Sequence, residues 1–324
     1  MKKPLFGLAA GLTALLAGAC ATTTPTTNIA FEGELPERSF RFEYHAELPA
    51  PSADADMRLW LPVPVDTVEQ SIENVEVVSS HAFELNDLVE GSGRSVYVQS
   101  EGEDITVTIS YDVHRRATVG GHSATAAELA EALTPDSMIP GDGKAALMSA
   151  SIKDGGSAVE TAESIYRHTL DRMKYGKPEG GAWGRGDADW ACDSKYGNCT
   201  DFHSYFMAVA RAKGIPARFV MGFPVAGGDE EVAKVKGYHC WAYFYDENEG
   251  WRPVDISEAD KDPSKADFFF GNLDQDRVEV IGGRDVVLEP APAAGSLNLF
   301  IYPHAEVDGK VTRELTKSFK RTNI

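Results

Sequence analysis

The sequence predicts an α+β protein, in which an N-terminal antiparallel β-sandwich is followed by a domain that mixes helices with strands. Residues 38–116 alternate apolar and polar side chains over several short segments, which is typical of strands with one exposed face. Residues 117–324 begin with helical spacing of apolar residues and continue into segments rich in aromatic residues. The length of 324 residues suits two domains behind an N-terminal export segment.

Residues 1–19 are predicted to be a signal peptide. Two lysines precede an apolar run at residues 5–16, which is too short to span a membrane as a helix. The small residues that follow end at Cys20, a pattern that resembles a bacterial lipoprotein cleavage site. Cys20 would then become the lipidated N-terminus, and ordinary secretion with cleavage after Ala19 is the alternative.

Residues 20–37 are predicted to be the lipidated N-terminus and a flexible linker, because their first part is rich in threonine and proline. Ala21 follows the cysteine, and similarity to known lipoproteins favours the outer membrane over the inner membrane. The expected location is the cell envelope, facing the periplasm, with the membrane as a partner through the lipid anchor. The formal net charge of −19 argues against a nucleic-acid partner.

The β-sandwich at residues 38–116 is predicted from two long alternating segments and several shorter ones. In residues 40–48 and 105–113, apolar side chains occupy every second position. Turn-rich gaps such as residues 49–54 separate the segments, as expected for an antiparallel sandwich. This region shows no combination of side chains typical of a catalytic site.

Helical segments open the second domain, residues 117–324. A short helix is predicted at residues 126–133, ended by Pro135. Ser157 and Glu160 form a capping box ahead of a longer helix with one apolar face.

The most informative segment follows this helix. Apolar residues at helical spacing begin after Cys199 and stop at Gly214, and Asn198 is a suitable N-cap. The predicted helix places Cys199 in its first turn. There the helix dipole and the free backbone N–H groups favour a thiolate and can donate to an oxyanion.

A histidine and an aspartate follow on a predicted hairpin. Residues 238–245 are rich in aromatic side chains and predict a strand, residues 246–250 a turn, and residues 251–255 the return strand. Folding this hairpin brings His239 and Asp255 opposite each other, within a residue or two. A cysteine nucleophile needs a base and a group that orients the base, and these two residues fit those roles.

The motifs GNCTDF, RAKGIPAR, HCW and GWRPVD, in this order, resemble the transglutaminase-like superfamily of papain-type cysteine enzymes. The resemblance covers roughly residues 175–260 and implies a papain-like α+β core. It implies Cys199 as the nucleophile, His239 as the general base and acid, and Asp255 as the residue that orients the histidine. Further along the chain, SEADKDP, FFFGNLDQDR and GGRDVVLEP are similar to a bacterial lipoprotein subgroup of this superfamily.

The loop at residues 175–196 is rich in glycine, aspartate and tryptophan and leads into the nucleophile, so we expect it to line the cleft. The resemblance implies an upstream side chain as a second oxyanion donor, which is a tryptophan in transglutaminases. Trp183 and Trp190 are the two candidates, each with an indole N–H. Simple aromatic packing is the alternative for both.

These observations predict a thiol-dependent acyl-transfer enzyme that acts on amide bonds of a protein or peptide substrate through a thioester. A cysteine peptidase or amidase is favoured over a protein transglutaminase, in which an amine replaces water as the acceptor. A non-catalytic envelope binding module that retains the triad is a third possibility. We expect no cofactor and no metal.

A zinc site is a weaker alternative. Cys199 and His203 share one helix face, and Cys192, His239 and Cys240 lie nearby in sequence. However, adjacent strand residues point to opposite faces, so His239 and Cys240 are not expected to share a metal. Cys192 and Cys240 remain for a disulfide in an oxidising compartment, with buried free thiols as the alternative.

Three polar features near the predicted triad are given supporting roles. Arg218, a charged residue in an apolar strand, is expected to pair with a carboxylate. Residues 224–236 are expected to form a rim or lid beside the cleft. Asp260, Asp262 and Asp267 form an acidic cluster. We interpret this cluster as solvated surface rather than as a calcium site.

The C-terminal region is predicted to contain a hairpin. Residues 297–307 are expected to form a strand, and Asp308-Gly309 a turn into residues 311–315. The basic residues 317–321 are expected to fray.

Overall fold

The computed structural model of the chain describes residues 31, 34–88, 92–179, 181 and 183–324. The predicted signal peptide, the predicted lipidation site Cys20 and the first part of the linker lie outside the described residues. Within the described ranges, no helix is both long enough and apolar enough to cross a membrane.

The elements are numbered here in chain order. The strands are β1 (Glu37–Leu48), β2 (Asp56–Val63), β3 (Gln70–Ser79), β4 (Phe83–Asp87), β5 (Arg94–Glu101), β6 (Ile105–Arg116), β7 (Lys174–Tyr175), β8 (Tyr196–Gly197), β9 (Ala217–Pro224), β10 (Val232–Val235), β11 (His239–Asp246), β12 (Gly250–Val254), β13 (Arg277–Gly282), β14 (His304–Val307), β15 (Lys310–Thr312) and β16 (Thr316–Asn323). The helices are α1 (Ala126–Glu131), α2 (Lys144–Leu147), α3 (Ala158–Arg172), α4 (Ala188–Ser194), α5 (Cys199–Ala212) and α6 (Ile256–Lys261), with short 3₁₀ turns at Met148–Ser151 and Pro263–Lys265.

The alternating N-terminal segments form strands of two five-stranded antiparallel sheets. One sheet has the order β10-β16-β1-β6-β3, and the other has the order β15-β14-β2-β5-β4. β1 and β6 pair along their whole length, with Phe42 opposite Tyr111. Alternate residues of β1, such as Phe40 and Tyr44, are completely buried. The strands predicted from apolar alternation are therefore present, and they bury the predicted face.

The C-terminal strands complete both sheets, whereas the sequence analysis placed them with the second domain. β16 lies between β1 and β10, and β14 and β15 form one edge of the other sheet. The expectation that residues 317–321 fray is wrong. Phe319 is buried, and its ring centroid lies 4.7 Å from that of Tyr44 and 4.5 Å from that of Phe223. Both ends of the chain thus build the sandwich.

The predicted C-terminal hairpin is present, because β14 and β15 pair across Asp308 and Gly309. The first strand is shorter than the predicted residues 297–307, since β14 begins at His304. Pro303 lies just before it and has no N–H to donate to a sheet, which accounts for the late start.

A four-stranded antiparallel sheet with the order β12-β11-β9-β13 forms the second part of the fold. α5 packs on one face of this sheet, where the ring centroids of Phe206 and Phe244 are 6.4 Å apart. All residues of α5 from Cys199 to Ala210 are buried, as expected for a helix enclosed by a sheet and by α2, α3 and α4. This packing fixes the end of α5 that carries Cys199.

Candidate active site

Cys199 is the first residue of α5, as predicted. The side-chain oxygen of Asn198 accepts hydrogen bonds from the N–H groups of Thr200 and Asp201, and the Asp201 carboxylate accepts one from the Asn198 N–H. In the described part of the chain, no hydrogen bond engages the Cys199 N–H. The dipole of α5 and this N–H are therefore available to stabilise negative charge on the sulfur or on a substrate oxygen.

The hairpin brings His239 and Asp255 together. β11 and β12 pair with Ala242 opposite Val254, so His239 begins one strand and Asp255 directly follows the other. The Nε2–H of His239 donates to Asp255 Oδ2 at 2.7 Å, and both side chains are buried. The aspartate therefore fixes the ring orientation of His239 and leaves Nδ1 for the cysteine.

A buried arginine that the sequence analysis did not single out is the second partner of the aspartate. Arg277 Nη1 donates to Asp255 Oδ2 at 3.0 Å, and its other nitrogens donate to Asp274. Its guanidinium lies 5.0 Å from the centre of the Trp241 ring. Arg277 is a charged residue at the start of the apolar strand β13, and this is visible in the sequence. Its partner Asp255 lies 22 residues earlier in the chain, so the sequence does not reveal the pair.

The charges around Asp255 decide its protonation and that of His239. Burial by itself raises the pKa of the Asp255 carboxyl, but His239 and Arg277 outweigh burial and hold this pKa well below its usual range. Burial by itself lowers the pKa of His239, but Asp255 and the Cys199 sulfur raise it to about 10. At neutral pH the aspartate is therefore ionised and the imidazole is protonated.

Cys240 and His239 both lower the pKa of the Cys199 thiol. Hydrogen bonding by Cys240 lowers this pKa most, burial opposes the change, and hydrogen bonding by His239 and the charge of His239 lower the pKa further. The pKa of Cys199 thus lies well below that of a free thiol. These shifts favour the Cys199 thiolate beside a protonated His239 at neutral pH.

His203 links the nucleophile to the segment that carries the aspartate. Its Nδ1–H donates to the Cys199 carbonyl at 2.7 Å, and its Nε2 accepts from the Ile256 N–H at 3.0 Å. The ring is completely buried, and burial lowers the pKa of His203, so it is neutral. Because both ring nitrogens are engaged, this histidine does not fit the zinc alternative and instead ties α5 to the start of α6.

Cys240 lies closer to the nucleophile than the sequence predicted. Its side chain is on the face of β11 that packs against α5, where Cys240 Sγ lies 3.6 Å from Thr200 Oγ1 and contacts Cys199. His239 reaches the same sulfur, although it is adjacent in sequence. His239 is the first residue of β11, and its ring centroid lies 6.1 Å from that of Trp241, two residues along the strand.

The disulfide hypothesis for Cys192 and Cys240 is not supported. Both are buried free thiols in the structure, and each has a different partner. Cys192 Sγ lies 3.4 Å from Arg172 Nη2, whereas Cys240 lies beside the nucleophile. The alternative of buried free thiols therefore holds.

The loop before the nucleophile is held by the carboxylate of Asp201. This carboxylate accepts hydrogen bonds from the N–H groups of Gly184 at 2.8 Å and Gly186 at 2.9 Å. Trp183 on this loop is 36% exposed, and Trp190 is half-buried. Contacts in the described residues connect neither indole to the nucleophile, so the choice of oxyanion donor between these tryptophans stays a prediction.

Arg218 does not form the predicted ion pair within the part of the chain that the structure describes. Its guanidinium instead lies over the rings of Tyr243 and Trp251, at 4.6 and 4.7 Å from their centres. Two aromatic faces provide a cation–π environment in place of the expected carboxylate.

Residues 224–236 form a strand and a tethered turn rather than a lid. The segment Val232–Val235 is β10 and pairs with β16. Arg321 donates to the Glu230 carbonyl, and Asn323 donates to the same carbonyl at 3.1 Å. The segment is thus tied to the sandwich, and the Val225 N–H, which donates to the Asp276 carbonyl at 2.8 Å, ties it to the residue before β13.

The three aspartates of the predicted acidic cluster have separate partners. Asp260 accepts a hydrogen bond from Lys174 Nζ at 2.8 Å, Asp267 pairs with Arg167, and Asp262 caps the following 3₁₀ turn. They do not converge on one site.

Comparisons with known proteins agree with this geometry at the level of family and fold. Residues 146–256 match the family model of the Transglutaminase-like superfamily. The chain therefore contains a transglutaminase-like domain, as the motifs predicted. An uncharacterized protein of Haemophilus influenzae is 35% identical over 142 residues, which are 35% of this chain and 38% of that protein. The chain thus spans well under half of that relative.

One solved structure shows the same fold. A candidate cysteine protease from Cytophaga hutchinsonii has a TM-score of 0.59 at 14% identity, covering 90% of this chain and 94% of that one. The predicted α+β fold with a transglutaminase-like core is confirmed. The periplasmic domain of TgpA from Pseudomonas aeruginosa covers 72% of this chain and 78% of that domain at 16% identity, but its TM-score of 0.38 is too low for further argument. Family and fold together support a thiol enzyme.

Proposed function

We propose that this protein is a thiol-dependent acyl-transfer enzyme that acts on amide bonds, most simply as a cysteine peptidase or amidase. The observation that carries the proposal is the buried His239–Asp255 hydrogen bond of 2.7 Å beside Cys199, the first residue of α5, whose pKa His239 lowers. The transglutaminase-like domain supports it. A protein or peptide is the proposed substrate.

In the first half of the reaction, the Cys199 thiolate attacks the carbonyl carbon of the amide and a C–S bond forms. The carbonyl electrons move to oxygen, where the Cys199 N–H and the dipole of α5 stabilise the negative charge. His239 then gives its Nδ1 proton to the amide nitrogen, the C–N bond breaks, and the amine leaves. The product is a thioester on Cys199 and a neutral His239.

In the second half, water attacks the thioester carbonyl while His239 takes a proton from it. The C–S bond breaks, the acid is released, and the thiolate–imidazolium pair is restored. A primary amine in place of water gives a new amide, which is the transglutaminase alternative. Asp255 holds the ring of His239 in the same orientation through both halves.

We further propose that the protein resides in the cell envelope as a periplasm-facing lipoprotein, at the outer membrane rather than the inner membrane. The support is the sequence pattern that ends at Cys20. Cys20→Ser is expected to move the protein from the membrane fraction to the soluble fraction. If this variant stays in the membrane fraction, something other than a lipid on Cys20 holds the protein there.

The test of the enzymatic proposal is capture of the acyl-enzyme. Purified protein is mixed with a peptide library, quenched in acid, and analysed by mass spectrometry for an adduct on the Cys199 peptide. We expect an adduct in the wild type and in Cys192→Ala, a matched control that removes another buried thiol, and none in Cys199→Ala. A labelled primary amine added to the mixture distinguishes hydrolysis from amide formation.

Iodoacetamide labelling decides between an enzyme and a binding module. An activated Cys199 is alkylated at pH values well below the ordinary thiol pKa of ~8.5, and His239→Ala is expected to move this profile upward. If Cys199 forms no adduct and is alkylated like a free cysteine, the non-catalytic alternative is the better description.

A further inference from the structure

A row of hydrogen bonds that the triad does not use connects the cap of α5 to the nucleophile. Asn198 Nδ2 donates to Tyr238 Oη at 3.0 Å, and Tyr238 Oη lies 2.9 Å from Thr200 Oγ1. Thr200 Oγ1 lies 3.6 Å from Cys240 Sγ, and Cys240 is the neighbour that lowers the pKa of Cys199 most. The row therefore runs from the cap of α5 to a thiol beside Cys199.

The two ends of the row determine the direction of donation. Asn198 Oδ1 accepts two backbone N–H groups of α5, so the NH₂ group faces Tyr238 and the phenol oxygen accepts there. The phenol proton is then free for Thr200 Oγ1, and the Thr200 hydroxyl and the Cys240 thiol can donate in the same direction, toward Cys199. Donors in this order stabilise an anion at the Cys199 sulfur.

We propose that Cys240 donates a hydrogen bond to the Cys199 thiolate and is a further residue of the catalytic machinery, with Thr200 and Tyr238 as positioning residues behind it. This inference rests on the proposed role of Cys199 as the nucleophile. Cys240 and Thr200 are completely buried, so water does not compete for these bonds. Because Cys240 is neutral, it stabilises the thiolate without placing a second charge beside the substrate.

The protonation states support this role. Burial, and then the neighbouring Cys199 sulfur, raise the pKa of Cys240 well above that of a free thiol, so Cys240 keeps its proton while Cys199 is ionised. Other titratable groups also face Cys199 from the surrounding elements. They are Tyr175, Asp201, His203, Tyr238, His239, Lys261 and Tyr302. Variants at Cys240 leave all of these groups in place, so they isolate the effect of the Cys240 thiol on the pKa of Cys199.

The test is the pH dependence of iodoacetamide alkylation at Cys199, measured by mass spectrometry of tryptic peptides. Arg211 and Lys213 lie between the two cysteines, so trypsin places Cys199 and Cys240 on separate peptides. Cys240→Ala is expected to raise the apparent pKa of Cys199 by about one pH unit. Cys240→Ser, whose hydroxyl still donates, is expected to restore most of this shift.

Thr200→Val tests the positioning part of the inference. The substitution keeps the shape of the side chain but removes the hydroxyl that orients the Cys240 thiol, so a smaller upward shift is expected. Tyr238→Phe removes the next donor and is expected to give a shift in the same direction, smaller again. Cys192→Ala, at a buried thiol that contacts Arg172 rather than the nucleophile, is the matched control and should keep the wild-type profile.

The possible outcomes separate this inference from the proposed function. A folded Cys240→Ala variant with the wild-type alkylation profile overturns the role of Cys240 and leaves the nucleophile intact. If wild-type Cys199 itself titrates near the free-thiol value of ~8.5, the proposed function fails instead. Should Cys240→Ala not fold, as judged by circular dichroism, the isosteric Thr200→Val decides, and the absence of a shift there overturns the inference.

Discussion

The carboxylate of Asp255 is satisfied on both of its oxygens. Oδ2 accepts from His239 and Arg277, and Oδ1 accepts from the Ser257 hydroxyl and the Glu258 N–H, each at 3.2 Å. A completely buried carboxylate with four donors keeps its charge and its position. Loss of one charged partner leaves a buried charge uncompensated, at a cost of about 3–5 kcal/mol. Arg277 therefore belongs to the site, although it is not next to the reacting sulfur.

The paired charges of Cys199 and His239 predict a bell-shaped pH dependence of the reaction. The reactive form needs the thiolate and the imidazolium together. The pKa of Cys199 is lowered, so the acidic limb lies below the ordinary range of a thiol. The pKa of His239 is raised from 6.5 to about 10, so the alkaline limb lies near that value. The measurement is kcat/KM for a peptide substrate over the acid and alkaline range, while iodoacetamide, which needs only the thiolate, reports the acidic limb.

Asp255→Asn provides the comparison for this profile. The variant removes the negative charge that raises the pKa of His239, so the alkaline limb is expected to move down toward 6.5. A wild-type alkaline limb already near 6.5 would contradict the charge pairing described here.

At the residue scale, the groups that carry their own local signal were predictable. Cys199 follows an N-cap, His239 opens an aromatic strand, and Asp255 ends the return strand of a short hairpin. Arg277 shows only a charge at the start of an apolar strand, and Cys240 carries no such signal. Their roles arise only when β11 and β13 are placed on the two sides of β9 and β11 is packed against α5. These are long-range contacts that local patterns do not encode.

At the element scale, the first turn of α5 organises the cleft. Asp201 accepts three backbone N–H groups, one from its own N-cap Asn198 at 3.0 Å and two from Gly184 and Gly186 on the preceding loop. One side chain thus caps the helix and holds the loop that carries Trp183. Asn298 and Arg284 also hold this loop, by donating to the carbonyls of Arg185 at 2.8 Å and Gly186 at 3.1 Å.

Asp201→Ala is expected to loosen the loop and to weaken the cap together. The loss of the cap alone costs about 1 kcal/mol, and the buried N–H groups left without an acceptor add to that cost. Hydrogen exchange should become faster at the amides of Gly184 and Gly186, and the substrate reaction should slow. Asp201→Asn should not rescue the wild type fully, because both carboxylate oxygens accept and an amide supplies only one acceptor.

Ser157→Ala is the matched control for this prediction. Ser157 accepts from the Glu160 N–H at the start of α3, so the variant removes a helix cap of the same kind away from the site. A similar loss of stability with normal alkylation of Cys199 is expected. If Asp201→Ala leaves hydrogen exchange in the loop unchanged, the loop is held by other contacts.

Elements with strong local periodicity were predictable, and those defined by distant partners were not. β1, β6 and α5 bury the faces that their apolar spacing indicated. β16 shows little apolar spacing, and its strand form depends on pairing with β1, in which Phe319 lies opposite Tyr44. Loop-like composition also concealed β10, which forms only because β16 provides an edge for it.

At the scale of the whole molecule, the sandwich and the catalytic sheet share their core. Phe223 in β9 lies 5.2 Å from Phe42 in β1 and 4.5 Å from Phe319 in β16, measured between ring centroids. β9 also pairs with β11, the strand that carries His239. β9 thus packs directly against β1 and β16, the first and last strands of the sandwich. The sandwich and the four-stranded sheet are therefore expected to unfold together.

This shared core predicts that the N-terminal region does not fold alone, although its alternating pattern suggests a complete domain. A fragment of residues 34–116 lacks β16 beside β1 and β14 beside β2. It also exposes Phe42 and Tyr44, which lose contact with Phe223 and Phe319. Each large apolar side chain returned to water costs about 1.5–3 kcal/mol, against a total stability of about 5–15 kcal/mol for a typical domain.

Urea unfolding followed by circular dichroism checks this prediction, with residues 34–324 as the reference. The longer chain should show one cooperative transition, and the fragment should show a gradual change without a folded baseline. A fragment in which a glycine–serine linker joins residues 34–116 to residues 304–324 restores β14, β15 and β16, and it should regain part of the cooperativity. A steep transition in the shorter fragment would mean that the six N-terminal strands hold their own core, and that the C-terminal strands are an addition to it rather than a part of it.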